Sequence, residues 1–171
     1  GVSSRGFGRV IAQFQAWRPV GGAYSVSVRA EAGAVIANSR EGVPSALLFR
    51  TGGDSTVRGY AYQSLGVKQG DTVLPGRYYA LASAEAVRWI NSTIGAAVFV
   101  DAGTACDEPE DLADLSLGYG VGARIRTPIG PFRVDVVRGT ERANLVNGVL
   151  GLAGDAHGVG RPHERGQRRE L

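Results

Sequence analysis

The sequence has no methionine, one cysteine, seven prolines and a single lysine, Lys68, among 19 basic residues. Each shortage excludes something. With Gly1 in place of an initiating methionine, the 171 residues are expected to be a processed product or, preferably, a piece of a longer protein. A lone cysteine, Cys106, cannot close an internal disulfide, which removes the disulfide-stapled scaffolds. The few prolines and the lack of a three-residue glycine period remove collagen. No apolar run approaches the roughly 18 residues of a membrane-spanning helix, whereas a spanning strand needs only about 9–11 residues and alternates in polarity. A net charge of +3, with Arg161, Arg165, Arg168 and Arg169 crowded near the C-terminus, gives nucleic acid little to bind. What is present is the balance of a folded chain, 43% hydrophobic and 20% charged, with 26 glycines.

The dominant pattern is alternation with period two, the mark of strands with unlike faces. From Tyr24 the even positions run Val26, Val28, Ala30, Ala32, Ala34, against Ser25, Ser27, Arg29, Glu31, Gly33. Similar rows cover residues 10–16, 77–90, 94–103, 115–127 and 131–137, giving six strands, most longer than the usual five or six residues. The connections alternate short (Arg18–Gly22, Asn91–Thr93, Pro128–Gly130) and long (Asn38–Gly76, Thr104–Asp114). An antiparallel up-and-down order then gathers the short turns at one end and the long loops at the other, as in outer-membrane barrels. Trp17, Tyr24, Trp89 and Phe132 flank the short turns, as an interfacial aromatic girdle would. A soluble ligand-binding β-barrel shares the alternation, with the apolar row turned inward as core. Strand length and the short–long rhythm favour the transmembrane barrel. The expected fold class is therefore all-β, an antiparallel up-and-down transmembrane β-barrel represented by about six, possibly seven, strands. Because the smallest such barrels have eight, these are expected to be C-terminal strands only.

No phosphate loop, nucleophile elbow or paired-histidine zinc motif is present. Gly118, Gly120 and Gly122 alternate along a strand and read as a smooth wall rather than a phosphate cradle. Cys106 precedes the acidic run Asp107–Asp111, which disfavours a thiolate, and that run reads as a solvated loop. His157 and His163 lie in a Gly/Arg/His-rich tail. No enzyme activity, metal or cofactor is expected.

Inside the first long connection stands Leu48-Phe49-Arg50-Thr51-Gly52-Gly53-Asp54-Ser55-Thr56-Val57-Arg58-Gly59-Tyr60, whose glycines suit a structured loop. This segment resembles the Val-Arg-Gly-Tyr/Phe loop of the BamA/TamA outer-membrane assembly superfamily, of the bacterial surface antigen type, which also contains two-partner secretion transporters. Three further stretches match in order: Gly76–Glu85, the Phe-x-Asp-x-Gly pattern of Phe99-Val100-Asp101-Ala102-Gly103, and the hairpin Gly118–Asp135. The wording of residues 52–66 looks closest to the TamA branch. The resemblance implies a sixteen-stranded barrel behind periplasmic POTRA domains, in a bacterial outer membrane. It implies clients among outer-membrane or secreted proteins, contact with outer-membrane lipid, a possible TamB-like inner-membrane partner and no nucleic acid. A secretion pore of the same superfamily is the alternative. The resemblance also implies that the loop folds into the lumen and that Arg58 meets Asp101, with Gly52, Gly53, Val57, Gly59, Tyr60, Phe99 and Gly103 completing the loop and wall motifs. Glu85, facing the same way as Asp101, is a candidate to join the pair. Reversing either charge of this pair is expected to impair activity, and reversing both together to restore it in part. Residues 1–153 are expected to be barrel and 154–171 a disordered tail. Such barrels usually end on an aromatic strand, and Asn144–Ala153 has no aromatic and weak alternation, so a degenerate or frame-shifted last strand is expected.

Overall fold

The computed structural model describes residues 6–140 and, in backbone alone, two short strands at 145–146 and 150–152. In chain order the strands are β1 (Gly8–Val20), β2 (Tyr24–Ile36), β3 (Val67–Gln69), β4 (Thr72–Leu74), β5 (Tyr78–Trp89), β6 (Ile94–Cys106), β7 (Ser116–Thr127), β8 (Gly130–Thr140), β9 (Leu145–Val146) and β10 (Leu150–Leu152). One antiparallel sheet runs β1-β2-β5-β6-β7-β8-β10, with β9 also paired to β8. The six long strands are those expected from the alternation, and each neighbours its sequence successor. Several extend two to four residues past the alternating rows, because ladder pairing continues where side-chain polarity stops alternating: Gly8 pairs with Ile36 and Val20 with Tyr24.

One feature was not anticipated. The long connection after β2 holds a small hairpin of its own, β3–β4, turning at Gly70 with φ +60°. Three-residue strands are too short for period two to register. The segment after β8 pairs with it twice, through Gly139↔Val146 and Leu150↔Val136. The expected tail, with His157 and His163, lies outside the described residues.

Register places the two rows of each strand on opposite faces. One cross-strand line reads Ala16–Val28–Ala84–Val100–Tyr119, and the next Arg18–Val26–Ala86–Val98–Val121–Val136. This apolar face is bare: Val98 is 56% and Val100 46% exposed. Residues 48–66 cover the opposite face from β2 to β8 and leave that of β1 open, and under the loop Asp101 is 1% exposed. A soluble barrel would show the reverse layering. The aromatic girdle is revised, since only Tyr24 and Phe132 sit on the bare face. Trp17 and Trp89 belong to the covered side, where the Trp89 indole N–H donates to Ser25 Oγ at 3.3 Å and the Arg126 guanidinium stacks 3.5 Å from its ring.

The covering segment is tied at its base. Phe49 and Gly76 exchange backbone hydrogen bonds of 2.8 Å, and Thr51 and Leu65 exchange bonds of 2.9 Å. The Phe49 ring stacks on Tyr79 at 4.4 Å, in a cluster with Val35 and Ala105. The Tyr79 ring lies over Gly33, where any Cβ would collide with it.

Candidate functional site

Covering the polar face requires the loop backbone to run very close to the strands, and the glycines permit it. Ser83, Asp101, Gly118 and Gly139 form one cross-strand row over β5, β6, β7 and β8. Val57-Arg58-Gly59 lies along this row. A Cβ at Gly118 would collide with the Arg58 carbonyl oxygen, and one at Gly59 would come within 2.8 Å of the Gly139 backbone nitrogen. Gly59 also has φ +93°, a conformation that other residues adopt only under strain. Gly103 makes room for Val57, which is fully buried with Leu65, Leu81 and Tyr60. Tyr60 ends the contact by donating its hydroxyl to the Leu117 carbonyl at 3.1 Å.

With the backbone so placed, the Arg58 side chain reaches into the wall. Its Nε donates to Asp101 Oδ2 at 2.7 Å and its Nη2 to Oδ1 at 2.9 Å, a two-pronged fork. The Arg58 backbone N–H adds a third bond to Oδ2 at 3.1 Å, and the Ser83 hydroxyl donates to Oδ1 at 2.6 Å. Beneath the fork the guanidinium lies 3.5 Å from the Phe99 ring centroid, a cation–π contact. Nη1 donates to Glu85 at 2.9 Å and to Asp135 at 3.3 Å. Arg124 closes the circuit, donating to Glu85 at 2.9 and 2.6 Å and to Asp135.

Arg58 and Asp101 are therefore not an isolated pair. Three carboxylates from β5, β6 and β8 enclose two guanidinium groups, one from the loop and one from β7. Arg124, Asp135, Ser83 and Gly139 were not picked out from the sequence. The available signal was Asp135, on the same face as Asp101 and Glu85, since three acids gathered on one enclosed face require more than one cation. Gly118, Gly120 and Gly122 are not a smooth wall either. They are clearances for the Arg58 carbonyl, the Phe99 ring and the Asp135 carboxylate respectively.

The loop also spans the sheet. Arg29 of β2 donates to the Ser55 carbonyl, and Arg133 of β8 donates to the Asp54 carbonyl at 3.1 Å. On a flat sheet those two strands would lie roughly 19 Å apart, four steps of about 4.8 Å, so the sheet curls around the loop tip. With Arg9 of β1 4.8 Å from the Phe49 ring, residues 48–66 touch every long strand.

No group of three or more His, Cys, Asp or Glu side chains is arranged to hold a metal among the described residues. Comparison with known proteins gives a match to the Omp85 superfamily domain over residues 2–142. The chain belongs to the Omp85 superfamily. It is 29% identical over 114 residues to outer envelope protein 80, chloroplastic, of Arabidopsis thaliana, covering 61% of this chain and 14% of that protein. Its fold is similar to the crystal structure of BamA from Haemophilus ducreyi lacking POTRA domains 1–3. The TM-score is 0.66 at 20% identity, over 85% of this chain and 34% of that one. This Omp85 chain thus spans a minor part of the length of either relative.

Proposed function

We propose that this chain is the C-terminal section of an outer-membrane β-barrel that inserts, assembles or translocates other proteins without enzymatic chemistry. The Arg58 loop serves in it as a fixed brace on the inner wall. One observation carries the reading: the layering is inverted, with an apolar face left bare and charged groups of four strands enclosed under a loop that adds its own arginine. Hydrocarbon accepts the first, and an enclosed lumen explains the second. Superfamily membership supports a membrane location, in a bacterial outer membrane or the homologous chloroplast outer envelope, and a role in protein biogenesis there. A soluble ligand-binding barrel would turn the apolar row inward. A secretion pore of the same superfamily would need a passage beside the loop, and contacts from the loop to all six long strands favour a standing brace. The TamA branch and a TamB-like partner rest on the wording of residues 52–66.

Barrel strands with unsatisfied edges template incoming strands, which gives such a protein a task without catalysis. The test is depletion of the full-length protein. Folded outer-membrane proteins should then fall several-fold, while the undepleted protein stays with membranes through alkaline extraction. Unchanged levels of those proteins, or release into the soluble fraction, would overturn the proposal.

A further inference from the structure

We infer that Arg18, Arg88 and Tyr24 form a site for the phosphate of an anionic phospholipid at the short-turn rim of the bare face. This rests on the reading of that face as lipid-facing. Following the register from β1 to β8, the bare face carries no carboxylate among the described residues, and its only charges are Arg18, Arg88 and Arg138. Each stands within two residues of a strand end: Arg18 before Val20, Arg88 before Trp89, Arg138 before Thr140. The middle of the face is Ala, Val, Leu, Tyr and Phe. Charge is excluded where hydrocarbon would be thickest and allowed where a long side chain can reach the headgroups.

Two of the three arginines lie at the same rim, on β1 and β5, either side of β2. Arg88 pairs in register with Tyr24, its Cζ 5.9 Å from the ring centroid, and Arg18 pairs with Val26, diagonal to Tyr24. Both arginines are exposed, and neither makes an ion pair among the described residues. On the covered face, by contrast, Arg58 and Arg124 are neutralised by carboxylates. Two cations with no counter-charge on an apolar surface call for an anion supplied from outside. A guanidinium fork matches phosphate oxygens, and Tyr24 offers the amphipathic ring favoured at that depth. Arg18 and Arg88 stand two strand spacings apart, about 10 Å across the sheet, and two residues apart along it, about 7 Å, a separation that two arginine arms close on one headgroup.

The test is native mass spectrometry of the detergent-purified full-length protein with added phosphatidylglycerol, phosphatidylcholine or inorganic phosphate. Phosphatidylglycerol should be retained over phosphatidylcholine, and R18Q/R88Q should weaken that retention by about fivefold per arginine. R18K/R88K, which keeps the charge but loses the fork, should retain only part of it, and R138Q, at the opposite rim, should change nothing. Equal retention by R18Q/R88Q overturns the site, as does binding of inorganic phosphate as strong as that of the lipid. A protein that stays soluble and monodisperse without detergent fails the lipid-facing reading itself, a separate outcome.

Discussion

Replacing Asp101 with alanine should release the Arg58 loop and cost about 3–5 kcal/mol, the range for removing one partner from a buried ion pair. The carboxylate accepts four hydrogen bonds, three from Arg58 and one from Ser83. Without it, Arg58 keeps Glu85 and Asp135 but loses its fork and the acceptor of its backbone N–H. Asp101→Asn should be nearly as damaging, because the amide nitrogen cannot accept and would face the guanidinium. The expectation of rescue by reversing both charges is revised by the surrounding groups. In Arg58→Asp/Asp101→Arg, the new aspartate faces Glu85 and Asp135, and three carboxylates then crowd one side of Arg124. The double reversal should recover little. Limited digestion of the full-length protein in detergent with a protease of broad specificity reads this directly: the loop around residue 58 should be protected in the wild type and cut in Asp101→Ala and in the double reversal. Protection in all three would show that the ion pairs do not hold the loop.

Gly118→Val should displace the loop just as completely, without touching a charge. The loop carbonyl occupies the space of the missing side chain, and backbone on both sides of the contact leaves nothing flexible to yield. Overpacking of this kind costs about 1–3 kcal/mol where side chains give way and more where they cannot. The strand itself should tolerate the change, since valine suits a β position. The expected signature is therefore split: unchanged β-sheet content by circular dichroism, with the bond after Arg58 open to trypsin. Val121→Ala on the same strand but the bare face should leave the loop protected.

The strands were legible because a sheet with one apolar and one charged face writes its period directly into residues such as Tyr24–Ala34. Arg58 and Asp101 were legible through resemblance, and the parity of β6 independently put Asp101 on the face opposite Val98 and Val100. What was illegible depends on distance across the sheet. Nothing local tells that Asp135 lies within reach of Arg58, because that follows from pairing β6 to β7 to β8 in one register. The glycines of β7 were misread for the same reason: a missing side chain acquires meaning only from what fills its place, here the Arg58 carbonyl. The two tryptophans look like girdle residues when judged by proximity to turns, yet their parity puts them on the covered side.

The proposed arrangement sets the bare face against hydrocarbon and encloses the loop on the opposite face. Spin-label accessibility in the reconstituted full-length protein tests it most directly, in a Cys106→Ser background that removes the buried native thiol. Labels at Val98, Val100, Tyr119 and Val121 should collide freely with oxygen, which dissolves in hydrocarbon, and poorly with a water-soluble nickel chelate. Labels at Val87, Ala97 and Val137, on the covered face, should not share the oxygen preference. A chelate that reaches Val98 and Val100 more readily than oxygen does would place this face in water and overturn the arrangement.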